Sequence, residues 1–236
     1  MSTKKLSADW FAAVARVDTP TICNALELAL GERRSTGYTY GTPVAAPAPL
    51  PAVVGYARTL RFAATDPSPL PPDQALAQRV AYYRYVQAQD GEPVILVMQD
   101  VDPRPGTGSY WGEVNSNVHK GLGVQGVLTN GSVRDLDVLA PGFPIIAGSI
   151  GPSHGHAHIV DFDVPVEVFD LAVNPGDLLH LDRHGAVLIP EELAADLPRC
   201  IDLMIAKEAP ILAAARKPGF SVADVERALK ESADIH

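Results

Sequence analysis

Between Arg58 and Gly148, short apolar runs of strand length alternate with stretches of helical period, and this alternation narrows the folds open to the chain more than any other feature. Arg58 to Ala64 alternates in strand fashion. The turn-rich DPSPLPP follows, and a helix is predicted from about Asp73 to Gln89, ahead of the apolar strand Pro93 to Met98. The order continues with a helix from about Trp111 to Gly121, a strand at Gly126 to Thr129, a short helix after Arg134 and a strand at Phe143 to Gly148. Strands separated by helices pair in parallel through crossovers, so this span predicts βαβ units around a shared sheet.

The flanks differ in character. Two short helices are expected first, over Ser7 to Val17 and Thr21 to Leu30, with Thr19-Pro20 as cap and first-turn proline of the second. Gly41 to Val54 is dense in Pro and Ala; it can run extended but cannot form a central strand, and it reads as a surface connection. After residue 158 strands dominate, at Val164 to Val173 and Asp177 to Leu188, with turns at Asn174-Pro175-Gly176 and Arg183-His184-Gly185. Helices return at Leu197 to Arg216 and Ser221 to Glu231, separated by Lys217-Pro218-Gly219. The pattern is mixed α/β: an α/β catalytic domain over residues 1–189 and a C-terminal helical extension of that domain over 190–236.

Composition constrains partners. A formal charge of -9 repels phosphate backbones and anionic lipid heads, and no run of Lys or Arg offsets it locally, so neither nucleic acid nor membrane is an expected partner. An anionic small molecule needs a local cation to hold it, and Arg134, in Gly-rich surroundings, fits that need best. Cys23 and Cys200 belong to no CxxC or Cys/His spacing and read as reduced core thiols. No apolar run approaches the ~20 residues that span a bilayer. Lys4 and Lys5 are followed by Ser7, Ala8 and Asp9 rather than by an apolar segment, so a cytoplasmic protein is expected.

The chemistry concentrates in WGEVNSNVHKGLGVQGVLTNGSVRDLD, Trp111 to Asp137: helix, glycine turn, apolar strand, glycine turn, then Arg-Asp. A Gly-Glu pair opening a helix leaves the amides of Val114 and Asn115 free at the positive end of the dipole, where carboxylates bind. The strand Gly126 to Thr129 returns the chain so that the Asn130 to Arg134 loop can lie beside that helix start. Breaking a bond next to a 2-oxo acid generates an enolate, which a divalent cation stabilises. Asp135 can ligate Mg²⁺ or Mn²⁺ directly and Glu113 through a water that shuttles a proton, while Arg134 offers a permanent bidentate charge to a carboxylate or oxyanion. By residue type alone, an Arg-Asp pair after a glycine turn also reads as a surface cap and ion pair.

Glu113 and the pair Arg134-Asp135 are separated by the twenty residues 114 to 133. On that motif the chain resembles the family that includes regulator of ribonuclease activity A and the 4-hydroxy-4-methyl-2-oxoglutarate aldolases and oxaloacetate decarboxylases, in which Asp usually stands at the position of Glu113. Thr19 to Leu28 resembles the family's early helix, Gly55 to Phe62 its first long strand, and Asn174 to Pro190 its closing hairpin. The resemblance implies a swivelling β/β/α domain assembled as a homo-trimer or homo-hexamer with sites between subunits. It also implies Asp135 as metal ligand, Arg134 as substrate-binding and catalytic arginine, and the amides after Glu113 as a carboxylate pocket. Glu208 is similar to the acid that aldolase members donate to a neighbouring subunit's site. The long C-terminal helices favour the aldolase branch over the shorter regulators.

One run departs from that pattern: Ser153-His154-Gly155-His156-Ala157-His158. In an extended segment the three histidines would share a face and could chelate Zn²⁺ or another transition metal. In a loop they would line a pocket, with His156 contacting substrate and Asp161 and Asp163 forming turns. Three functions follow: a metal-dependent carbon-carbon lyase acting on 2-oxo acids, a non-catalytic regulator that binds a ribonuclease or another protein, and a histidine-cluster hydrolase or lyase.

Overall fold

Val94–Asp100, VILVMQD, is buried along nearly its whole length in the computed structural model, which describes residues 5–47, 50–87 and 91–235. Lys4, residues 48 and 49 of the predicted connection, and the end of the helix predicted to reach Gln89 lie outside the described residues. In chain order the elements are α1 (Ala8–Ala15), α2 (Thr19–Leu30), β1 (Val44–Ala46), β2 (Val53–Ala63), α3 (Pro72–Val86), β3 (Val94–Asp100), α4 (Glu113–Gly121), β4 (Val124–Thr129) and β5 (Ser132–Val133). A 3-10 turn at Leu136–Val138 leads to β6 (Ile145–Ala147), β7 (Ser149–Ile150), β8 (His158–Phe162), β9 (Val166–Val168), β10 (Leu171–Val173), β11 (Leu178–Asp182) and β12 (Gly185–Leu188). Helices α5 (Glu191–Ala194), α6 (Leu197–Ala215) and α7 (Val222–Ala233) follow.

These elements divide into two compact units, Ser35–Pro190 and Met1–Arg34 with Glu191–His236. Residues 1–34 thus group with the helices after Glu191 rather than with the sheet. In the larger unit the strands run β1-β6-β4-β3-β2-β11-β12, with β8 also on β2. β2, β3, β4 and β6 pair in parallel, and β1, β8, β11 and β12 add antiparallel. The outer edge of β2 is shared: Val53 to Tyr56 pair with β11, and Leu60 to Ala63 with β8.

Period-two alternation loads both faces of the sheet. Val94, Leu96 and Met98 of β3 join Leu60, Phe62, Val127 and Ile145 in one core, which Tyr82 and Val86 of α3 help close. Ile95 and Val97 join Ala57, Leu128 and Ile146 on the opposite face, covered by Val166, Val168, Leu171 and Val173 of β9 and β10. Helix, sheet and hairpin layers are the expected β/β/α arrangement. Three local expectations change. The strand predicted from Val164 to Val173 is a hairpin, turned at Phe169 and Asp170, both at positive φ. The Pro-rich connection contributes β1, a short sheet-edge strand. Asp18, not Thr19, caps α2, accepting from Thr21 N at 3.0 Å.

In the smaller unit, α2 buries Ile22, Ala25 and Leu26, and α6 buries Leu197, Cys200 and Ile201. Trp10 donates its indole N–H to Ala194 O at 2.6 Å, tying α1 to α5. Ser221 and Asp224 form a reciprocal capping box at the start of α7. Among the described residues no helix is long and apolar enough to cross a membrane.

The parallel pairing of β2 with β3 demands a glycine where it begins. A Cβ at Gly55 would lie 2.6 Å from Pro93 O, while the Cβ of an alanine at Gly121 would meet nothing within 4 Å. Gly55→Ala is therefore expected to lower unfolding free energy by about 1–3 kcal/mol, and Gly121→Ala to change it by about 1 kcal/mol or less in the stabilising direction. Urea denaturation of the two variants measures both.

Candidate active site

The strand β4 ends at Thr129, and the chain then makes a short excursion that is pinned at several backbone positions. Asn130 holds the end of β3 with both ends of its amide: Oδ1 accepts from Asp100 N at 2.7 Å, and Nδ2 donates to Asp100 O at 3.0 Å. Gly148 N donates to Gly131 O at 2.8 Å, and β5 pairs in parallel with β7. Val133 bridges Trp111, and Arg134 N donates to Trp111 O at 2.9 Å. This last bond sets Arg134 and Asp135 beside the first turn of α4.

Asp135 adopts a left-handed backbone, φ 58° and ψ 39°, a conformation that Asp and Asn visit more readily than other non-glycine residues. Its Oδ2 accepts from Glu113 N at 3.1 Å and lies 3.7 Å from Arg134 Nε. Gly112, the residue before the helix, makes the approach possible: a Cβ there would lie 2.5 Å from Asp135 Oδ2 and 3.1 Å from Arg134 Cγ. The amides of Val114 and Asn115 sit in the same first turn, where no intrahelical acceptor exists. Asn115 turns its side chain back, donating Nδ2 to Tyr110 O at 2.6 Å. The Glu113 side chain is exposed.

A helix cap uses one carboxylate oxygen, and Oδ2 serves that role. Asp135 Oδ1, with the exposed Glu113 carboxylate, leaves a hard-oxygen donor pair of the kind Mg²⁺ takes while it keeps several waters. The space that Gly112 frees is what lets Asp135 stand there, so these residues fit a divalent cation of the hard class.

Beside this corner opens a cavity of about 410 Å³. Arg134 and Asn115 line it, with Ser109 from the loop before α4. Arg79 and Tyr83 enter from α3, and His154 and His158 from the chain leading into β8. No aspartate or glutamate lines it among the described residues. The histidine run does not extend as a strand: Gly155 has φ 52°, and Ala157 N donates to His154 O at 3.0 Å. Because the backbone turns at 154–157 and only His158 enters β8, the shared face expected of an extended run is not formed. Among the described residues no group of three or more His, Cys, Asp or Glu is placed to hold a metal. His156 is exposed, its amide donating to Ala64 O at 2.8 Å, and it is not among the cavity-lining residues.

The RraA-like family model, described as Aldolase/RraA, matches residues 19–188. The chain belongs to the RraA-like family. RraAS2 of Streptomyces coelicolor, described as an unusual member of the RNase ES inhibitor RraA protein family, is 26% identical with a TM-score of 0.63, covering 91% of this chain and 99% of that one. A structure reported among novel cellulases from microbes associated with the gut ecosystem has a TM-score of 0.70 at 16% identity, covering 89% of this chain and 90% of that one, and shares the fold alone. An uncharacterized protein of Methanocaldococcus jannaschii is 35% identical over 103 residues, 41% of this chain and 48% of that protein. The chain thus spans about half the length of that relative.

In this RraA-like chain the fold brings Glu113, Val114, Asn115, Arg134 and Asp135 to one corner. Glu208 lies exposed on α6, in the smaller unit. Arg79, Tyr83 and Ser109 belong to the cavity without any motif that marks them in the sequence. Behind the cavity wall, His119 of α4 is fully buried, with Nε2 at 2.6 Å from Tyr82 Oη and Nδ1 at 2.7 Å from Asn115 O. The carbonyl partner assigns the N–H to Nδ1, so Tyr82 donates to Nε2.

Burial lowers the His119 pKa from 6.5 to about 4 and pushes the Tyr82 hydroxyl well above its ordinary value. The unfolded chain takes up a proton at this histidine near pH 6.5 that the folded chain refuses until about pH 4. Stability from this group is therefore complete above the upper value, is lost as pH falls through the window, and levels off below it. His119→Gln keeps hydrogen-bonding capacity but does not titrate. Between pH 7 and 4 the parent is expected to lose on the order of 3 kcal/mol more unfolding free energy than the variant, as measured by denaturant unfolding at a series of pH values.

Proposed function

We propose that the protein is a divalent-metal-dependent carbon-carbon lyase acting on 2-oxo acids, by aldol cleavage of a 4-hydroxy-2-oxo acid to pyruvate, by decarboxylation of oxaloacetate, or both. The observation that carries this reading is the corner at α4, where the Asp135 carboxylate accepts the Glu113 amide while Arg134 faces a cavity lined by no acid among the described residues. Asp135 would hold Mg²⁺ or Mn²⁺, with Glu113 joined through water. Such a cation supplies charge stabilisation for the oxyanion that develops when the bond next to a 2-oxo group breaks.

The chain's own residues do the remaining work. The substrate carboxylate lies on the amides of Val114 and Asn115, favoured by the helix dipole. The Arg134 guanidinium holds the substrate through two parallel hydrogen bonds and keeps its charge at every working pH. In aldol cleavage the proton lost by the 4-hydroxyl passes through water held by Glu113 to the carbon that becomes the methyl group of pyruvate, and in decarboxylation that carbon takes its proton from solvent by the same route. Glu208 of a neighbouring copy in a homo-trimer or homo-hexamer is the proposed acidic residue that completes the site.

The likeness to RraAS2 favours a second reading, a regulator that binds a ribonuclease without catalysis. Pyruvate release from oxaloacetate and from branched 4-hydroxy-2-oxo diacids, with Mg²⁺ or Mn²⁺ and with EDTA, separates the two. The lyase reading expects turnover that chelator silences, a fall of roughly 10²-fold or more in kcat/KM for Arg134→Ala, and weakened metal dependence for Asp135→Asn. Turnover indifferent to EDTA and to Arg134→Ala would overturn the proposed metal site and the role of Arg134, and no release from any 2-oxo acid would overturn the lyase reading in favour of the regulator.

A further inference from the structure

The charge of the cavity runs against that of the chain. Asp and Glu number 28 against 19 Lys and Arg, yet the cavity lining has two arginines, two histidines and, among the described residues, no acid. Two guanidinium groups facing one cavity whose lining has no carboxylate among the described residues attract an anion at short range. Arg134 is one of the two, and the proposed chemistry uses it. Arg79 is the other, and nothing in that chemistry accounts for it.

An arginine already committed to a carboxylate has less to offer an anionic ligand. Arg16, Arg33, Arg61, Arg199 and Arg227 each pair with a carboxylate. Arg79 has no ion-pair partner among the described residues. Its position is also built rather than loose. Gln78, the preceding residue of α3, donates Nε2 to Val160 O at 3.1 Å, which ties the Arg79 turn to β8. The histidine turn is held from the other side, where Ser109 N donates to Ser153 O at 2.8 Å. His154 Nδ1 lies 2.7 Å from Gly155 O and His158 Nδ1 2.9 Å from His156 O, so their Nε2 atoms are left for a ligand.

At about 410 Å³ the cavity falls within the range that encloses a whole small-molecule ligand rather than one functional group. Arg134 enters it from the α4 side and Arg79 from α3. We propose that Arg79 determines specificity by holding the distal carboxylate of a 2-oxo diacid whose 2-oxo end lies at Arg134, with one of His154 and His158 accepting the single hydrogen bond of a hydroxyl between the two ends. Only the placement of the 2-oxo end rests on the lyase reading.

Two unreactive probes of equal chain length isolate this role: 2-oxoglutarate, and 2-oxopentanoate, in which a methyl group replaces the distal carboxylate. Calorimetric titration of the full chain with Mg²⁺ present is expected to show at least roughly tenfold tighter binding of 2-oxoglutarate. In Arg79→Met that preference falls at least tenfold toward unity while 2-oxopentanoate affinity holds, and Arg79→Lys retains part of it. An unchanged ratio in Arg79→Met, no preference in the parent, or no binding of either probe would overturn the proposal. Selective binding lost in Arg79→Met but without pyruvate release from any substrate would instead reject the lyase reading and leave the role of Arg79 standing.

Discussion

Two peptide-level contacts make a site out of segments that the chain keeps apart. The Arg134 amide on Trp111 O and the Glu113 amide on Asp135 Oδ2 join the excursion after β4 to the start of α4. Each is an ordinary hydrogen bond of modest net worth. Their importance is geometric: the first fixes the Arg134 backbone itself, and the second fixes the Asp135 side chain against the start of α4. With Asn130 clasping Asp100 and β5 paired to β7, the Arg134-Asp135 backbone is held from both neighbouring loops. The left-handed turn at Asp135 is maintained by that surrounding frame, as local strain in proteins generally is.

Electrostatics at this corner depends on where the acids are not. A strongly acidic chain would repel an anionic ligand at long range, so binding must come from short-range, partly desolvated cations. The sheet layout allows this: α3, the loop before α4 and the turn into β8 all reach the cavity, and each brings donors or cations without carboxylates. The buried Tyr82-His119 pair stands behind it as a neutral support that links α3 to Asn115 without adding charge.

Much of the larger unit was legible because its strands obey a simple period. VILVMQD feeds alternate residues to two cores, and the βαβ order of β2, α3, β3, α4 and β4 follows from helix and strand runs of ordinary length. The hairpin at β9 and β10 was hidden because its turn is Phe169-Asp170, with neither Gly nor Asn to announce positive φ. β8 was hidden because its pairing comes wholly from β2, a tertiary partner that local pattern does not contain. At the site, Glu113, Arg134 and Asp135 could be read because glycines frame them and their spacing matches a family motif. Arg79 could not: it sits on a helix with no motif, and its proximity to Arg134 is created only when α3 folds over the sheet. Of the two readings of the histidine run, the backbone turn at Gly155 forms the loop rather than the shared face, and His154 and His158, not His156, line the cavity.

The divided outer edge of β2 gives one strand two separate partners. Register over Val53 to Tyr56 is held by β11, and over Leu60 to Ala63 by β8, so the two partners are set independently along one continuous strand. The segment between Ile150 and His158 is held by contacts of its own, Ser109 N on Ser153 O and His156 N on Ala64 O, and, among the described residues, by none to β11 that sets the sheet's register there. The turn that lines the cavity and the hairpin that closes the sheet thus answer to different stretches of one strand.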